Sequence, residues 1–163
     1  MATAPNKPTP RFRDLIQKPE SEVEAIPIHP VGHFRGIMHK TEFGEFDGKD
    51  GKVDTVEFYF ESREPLGDVN PDEWESYREN AAAKRSTRLR TRIFVERENL
   101  RRFYDFLIKK FGCTSGQTGE QMLEQVQGAE CIYEVKHGTS KDGNPFADIN
   151  RVLNYGEDGP SAE

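Results

Sequence analysis

From Val53 to Glu61 the chain alternates apolar and polar side chains. Val56, Phe58 and Phe60 fall on one face of an extended segment, and Thr55, Glu57, Tyr59 and Glu61 on the other. A period of two does not make one apolar face on a helix, so this stretch demands a strand with one side against a core. Ser86 to Val95 repeats the pattern, with Leu89, Thr91, Ile93 and Val95 alternating with Arg88, Arg90, Arg92 and Phe94. Three more stretches read as strands: Val31 to Phe43, bending at Gly36, then Ala129 to His137 and Phe146 to Leu153. Residues 44–51, with Asp47-Gly48 and Asp50-Gly51, predict a turn, and so does Lys141-Asp142-Gly143-Asn144. Residues 62–69 read as a loop.

Helical signals separate the strands. Asn70 as N-cap, Pro71 in the first turn and Glu73 three residues on open a helix through Trp74 and Tyr77 to Ala83. Leu100, Phe103, Tyr104, Leu107, Ile108 and Phe111 give a helical apolar stripe over Glu98 to Phe111, with Gly112 as its stop. A shorter helix carries Met122, Leu123 and Val126 between Glu120 and Gln127. The fold expected is mainly β with helices, an α+β class. It is a five-stranded OB-fold barrel with a helix between strands 3 and 4 and a helical insertion at 70–83 between strands 2 and 3. An open α+β sheet with one packed helix is the alternative order of closure.

Residues 1–30 hold six of the ten prolines and predict a flexible leader; 31–155 form the domain, and 156–163 a short acidic tail. A helical turn at Phe12 to Ile16 is the one local element expected in the leader. Leu, Ile, Val and Phe together make up 35 of 163 residues, enough for a core only if it is concentrated in the middle of the chain. No apolar run reaches the roughly 18 residues of a membrane span, and the first eight residues lack a signal-peptide centre. A cytoplasmic protein without membrane partners is expected. Cys113 and Cys131 are then free thiols.

Charge is segregated. The formal net charge is -6, yet residues 84–110 carry +7, against -7 for 31–83 and -6 for 111–163. Arg88, Arg90, Arg92 and Phe94 project together from one strand at about 6.6–6.8 Å per two residues, on the scale of an extended nucleic-acid strand. Three guanidiniums and a ring on one face suit single-stranded nucleic acid: the arginines meet phosphates and Phe94 stacks on a base. Tyr59 on the neighbouring strand offers a second ring. Arg35, Lys84, Arg85 and Lys141 add charge around it. The competing reading is a solvated face, because Glu57 and Glu61 share the side of Tyr59 and can pair with the arginines across strands. Arg101 and Arg102 lie outside the apolar stripe of the long helix and read as solvated.

Other chemistry is weaker. Glu134-Val135-Lys136 matches the Glu-x-Lys element of metal-dependent nucleases but lacks a clear preceding Asp. His29, His33 and His39 have no finger-like spacing, and Cys113 and Cys131 stand 18 apart without partner pairs, so no metal or cofactor is expected.

Five stretches carry a resemblance: Pro30-Val31-Gly32-His33-Phe34, Phe58-Tyr59-Phe60-Glu61, Leu100-Arg101-Arg102-Phe103, Val126 to Cys131 and Lys141 to Phe146. In their order and texture, from His29 to Tyr155, the chain resembles a family of phage and prophage proteins encoded near recombination genes. The resemblance implies an OB-fold that binds single-stranded DNA without catalysis, in phage-type replication or recombination. Single-stranded DNA is the partner expected, RNA the variant, with recombination or replication proteins and further copies of the chain as protein partners. The acidic tail lacks the aromatic-ending tip with which bacterial single-strand-binding proteins recruit partners. A protein-interaction module facing an acidic partner is the alternative function.

Overall fold

A computed structural model describes residues 9–22 and 25–160. Among them lie five strands: β1 (Gly32–Gly48), β2 (Gly51–Pro65), β3 (Leu89–Val95), β4 (Glu130–Thr139) and β5 (Pro145–Val152). The helices are α1 (Pro10–Ile16), α2 (Pro71–Arg78), α3 (Ala81–Ser86), α4 (Leu100–Phe111) and α5 (Gly119–Gln125). The class is α+β. The strands form one open antiparallel sheet in the order β3-β2-β1-β4-β5, with β3 and β5 as its edges. No ladder joins those edges among the described residues. They nonetheless approach each other, the Arg90 amide pointing to Asp148 Oδ1 at 3.4 Å. No helix of the described residues is long and apolar enough to cross a membrane.

The apolar face of the sheet is where the period of two placed it. Val56, Phe58 and Phe60 are buried together with Leu89 and Ile93, and Phe103, Leu107 and Phe111 of α4 close over them. Removing Phe58 alone from water contributes about 2–3 kcal/mol. Gly112 follows α4 in the left-handed conformation, φ 72°, and returns its amide to the Leu107 and Ile108 carbonyls. Thr118 and Gln121 cap α5 reciprocally.

Several boundaries differ from expectation. The strands expected at 31–43 and 53–61 run on into the predicted turn and the predicted loop, β1 to Gly48 and β2 from Gly51 to Pro65. Gly48 pairs with Gly51, so only Lys49 and Asp50 remain between them, and Pro65 pairs back to Phe34. Extending an existing ladder satisfies backbone groups that a loop would leave to water. The strand expected from Ser86 starts at Leu89, because Ser86 still belongs to α3. The single helix expected at 70–83 is two helices. Asn70 caps the first as predicted, and Asn80 accepts the Ala83 amide and starts the second. The leader does not end free at residue 30, because His29 and Pro30 are buried in the core. The tail is not loose throughout either: Gly159 lies against Leu66 and Leu153.

The bend expected at Gly36 is present as a register shift between Arg35 and Gly36. A side chain there would be driven into the Glu61 carbonyl and the Tyr133 hydroxyl. That hydroxyl bonds Ser62 Oγ at 2.7 Å, and Ser62 Oγ lies 2.7 Å from His29 Nε2. His29 Nδ1 faces the Pro30 carbonyl at 2.8 Å. A carbonyl only accepts, so Nδ1 donates, Nε2 accepts from Ser62, and Ser62 accepts from Tyr133. The ring packs edge-on against Phe34 and Tyr77, with centroids 4.4 and 4.8 Å away.

Burial lowers the His29 pKa from 6.5 to about 4, and nearby His137 adds to the lowering against the opposing bond to Pro30. A depressed histidine pKa means stability that is full above the unfolded value and lost as pH falls. Between about pH 6.5 and 4 this group is expected to remove on the order of 3 kcal/mol. Urea unfolding of wild type and His29→Asn across that range checks it: the stability gap should be widest at neutral pH and narrow on acidification. A constant gap would contradict a neutral, buried His29. Gly36→Ala is expected to lose about 1–3 kcal/mol through overpacking, read by the same unfolding curves.

Candidate nucleic-acid interface

Antiparallel pairing places Tyr59 opposite Arg90, Glu57 opposite Arg92 and Thr55 opposite Phe94. On the other side of β2, Lys40, Glu42 and Gly44 pair with the same three β2 residues. The polar face of β1, β2 and β3 is therefore a patch of alternating cations, carboxylates and rings. His39 is the extra residue of a second register shift, between Met38 and Lys40. It restores the alternation that puts Lys40 and Glu42 on this face.

Arg90, Arg92 and Phe94 are exposed and share the edge strand, as the sequence predicts. Phe94 is 38 % exposed and meets the ring of Phe46, 44 % exposed, edge-to-face at 5.4 Å. Phe46 escapes a sequence reading that treats 44–51 as a turn. The pair Gly48 and Gly51, flanking two turn residues, is the signal that sets it opposite Val53 and beside Phe94.

Tyr59 is not the open ring expected. It is only 8 % exposed, with Lys40 Nζ over its face at 4.8 Å. Its hydroxyl donates to Glu57 at 2.6 Å and lies 3.1 Å from Glu42. The long side chains on both flanking strands cover the phenol, which strand alternation alone does not reveal. Tyr59 thus organises carboxylates rather than stacking on a ligand.

The arginines are compensated. Glu57 accepts from Arg92 Nε at 2.8 Å and again from its Nη2, and it lies 3.5 Å from Arg90 Nη1. The Tyr59 hydroxyl holds the Glu57 carboxyl below the ordinary carboxylate range. Arg92 and Arg90 add to this against the upward pull of partial burial. Glu61, also expected as a partner, sits by Arg63 instead.

The remaining predicted cations disperse. Arg88 precedes β3 and borders a cleft of about 460 Å³ with Arg90, Phe146, Ile26 and Ile28. Lys84 and Arg85 lie in the last turn of α3, and Lys84 edges a second cleft with Trp74, Tyr77 and Arg63. Lys141 is exposed in the β4–β5 turn. These four have no carboxylate within ion-pair distance among the described residues. Arg35 does not join the stripe: it faces Glu64 at 3.9 Å and borders a separate hollow with Tyr155.

The other candidates are engaged elsewhere. Glu134 accepts from Asn150 and lies 3.6 Å from Arg151. His33 Nδ1 is 2.7 Å from Asp68 Oδ2. Among the described residues no three His, Cys, Asp or Glu side chains converge to hold a metal. Cys113 and Cys131 are buried, and burial pushes the Cys131 thiol up to about 12.

No protein-family model matches the chain, and no curated protein is significantly similar to it in sequence.

Tyr59→Phe removes the hydroxyl that holds Glu57 down. The Glu57 carboxyl, followed by its carbon NMR shift against pH, is expected to titrate closer to the ordinary 4.5. Its stabilising contribution, present above that value and lost on acidification, should shrink accordingly. An unchanged titration would mean that the arginines alone set it.

Proposed function

We propose that this chain binds single-stranded DNA, without reading its sequence, on the polar face of β1, β2 and β3, and serves phage-type replication or recombination. The observation that carries the reading is the exposed Phe46–Phe94 pair, in which Phe94 lies in line with Arg92 and Arg90 on the edge strand β3 and Phe46 reaches it from β1. Arg88 adds a charge just before that strand, beside Arg90, while Lys84 and Arg85 precede it on α3. Rings supply stacking for unpaired bases and guanidiniums supply phosphate contacts, a combination that duplex DNA uses poorly. The strand order supports the OB reading as well. In a barrel of that type β3 and β5 flank the seam, and here those edges approach each other while the chain from β3 to β4 runs through α4 and α5.

On this reading Glu57 sets affinity. A phosphate reaches Arg92 by replacing a carboxylate already paired with it, so each contact is worth less than that of an unpaired arginine. Anisotropy of a labelled oligo-dT, titrated over a range of salt, tests both points. Wild type should bind, weaken with salt and prefer single strand over duplex competitor. Arg88→Ala/Arg90→Ala/Arg92→Ala should abolish most of the binding. Glu57→Gln keeps an acceptor for Tyr59 and should tighten binding by about threefold to tenfold, the scale of one partly exposed charge. Absence of binding at low salt overturns the proposal. The compensated face would then be read as docking for an acidic protein partner.

A further inference from the structure

Among the described residues, two apolar patches have no partner. The first is on α1, where Thr9 caps the helix and Pro10 opens it. Phe12, Leu15 and Ile16 are each more than half exposed, and their spacing of three and four residues puts them on one face. Arg11 and Arg13 flank that face on its two sides, while Asp14 points away from it. Residues 10–18 carry a net charge of +2.

The second patch is on the arm formed by the far ends of β1 and β2. The ladder of β1 with β4 ends at Ile37, beyond which Met38 still bonds Gly128 and Ala129 and Thr41 meets Gln127, and β3 reaches only as far as Asp54. Past Asp54 the arm is therefore a two-stranded ribbon; at its base, by Phe43, Val56 still pairs with Ile93 of β3, and two faces run along it. One carries Phe46, toward Phe94. The other carries Phe43, opposite Val56, followed by Glu45 opposite Asp54 and Asp47 opposite Lys52. Phe43 is 71 % exposed, the core having ended beneath it. Residues 41–54 carry a net charge of -3.

We propose that α1 of one copy docks on the Phe43 face of the arm of a second copy. The two patches match in kind: an apolar stripe between cations meets an aromatic side chain on a face where Asp47 and Asp54 outnumber the one Lys52–Glu45 pair. In this structure α1 buries no residue against its own chain. Because each copy carries one stripe and one arm, two copies can exchange them reciprocally, and repetition adds further copies in a row. The surface involved is far below the roughly 800 Å² per partner of a standard stable complex, so the contact is weak in solution and concentration-dependent. It leaves the Phe46–Arg92 face uncovered and does not depend on nucleic acid.

Sedimentation velocity of the full chain, without nucleic acid and at low salt, reads the contact directly. The mean mass of wild type should rise above 18.7 kDa with concentration. That rise should be lost in Phe12→Asp/Leu15→Asp and in Phe43→Asp, all exposed positions whose folding is checked by circular dichroism. A charge exchange makes the test specific. Arg11→Glu/Arg13→Glu and Glu45→Lys/Asp47→Lys should each stay monomeric alone and associate when mixed. A wild type that stays at 18.7 kDa at every concentration overturns the proposal. So does association that survives the α1 or Phe43 substitutions, or a failure of the exchanged pair to associate. Should α1 instead cover its own arm, a monomer would show slow amide exchange at Phe43 that quickens in Phe12→Asp/Leu15→Asp, and this too overturns it. Because no oligonucleotide is present, failure here and failure of strand binding are separate results.

Discussion

The Tyr133 hydroxyl occupies the space that a Cβ at residue 36 would need, and much of the structure follows from that approach. β1 is the central strand and must pair with β2 on one side and β4 on the other. At Gly36 it shifts register against β2 while staying in register with β4. The ring that fills the bend comes from β4, so the same residue that fixes the bend ties the two halves of the sheet together. Its hydroxyl then orients Ser62, and Ser62 orients His29. A polar chain buried this deeply is favourable only when every member is satisfied, and here each donor meets one acceptor in a single order. His29 and Pro30, ahead of the first strand, are consequently part of the buried structure.

Segregation of charge along the sequence does not survive folding. The basic stretch at 84–110 and the acidic stretch at 31–83 are neighbours in space, because β3 pairs with β2. Arg90 and Arg92 therefore meet Glu57 before they meet any ligand. Of the cations proposed for the face, Arg88, the end of α3 and Lys141 lie off the ladder and have no carboxylate partner among the described residues. A count of charges along the chain finds the basic element, but it overstates the free positive potential on its face.

What the sequence made legible was local. The apolar face of β2, the Asn70 cap, the Gly112 stop and the Gly36 bend each rest on one segment and its own geometry. The missing parts are pairings. The length of β1 and β2 depends on how far two strands continue to satisfy each other, and Asp-Gly dipeptides at 47–48 and 50–51 mark the turn without marking its width. Splitting of the 70–83 helix depends on Asn80 capping a second start. In the candidate site, alternation places Arg90, Arg92, Phe94 and Tyr59 on one face correctly. It cannot tell that Tyr59 is covered while Phe94 is open, because cover comes from Lys40 and Glu42 on a third strand. Arg35 shows the same limit: its strand is adjacent, but the sheet carries it away from β3 to the side of Glu64.

A compensated arginine is not an idle one. Glu57 holds the Arg92 guanidinium through two of its nitrogens, so the side chain is already ordered and already partly out of water. On the proposed function, a phosphate arriving at this face exchanges with a carboxylate of similar geometry. The entropy of fixing a long side chain is then paid in folding rather than in binding. Such an exchange favours ligands that bring more than charge, since charge alone gains little over Glu57. Unpaired bases that can stack on Phe94 and Phe46 bring that additional term, whereas a duplex, its rings hidden, offers only phosphates. The carboxylate that weakens each contact is thus also what would separate single strand from duplex on this face.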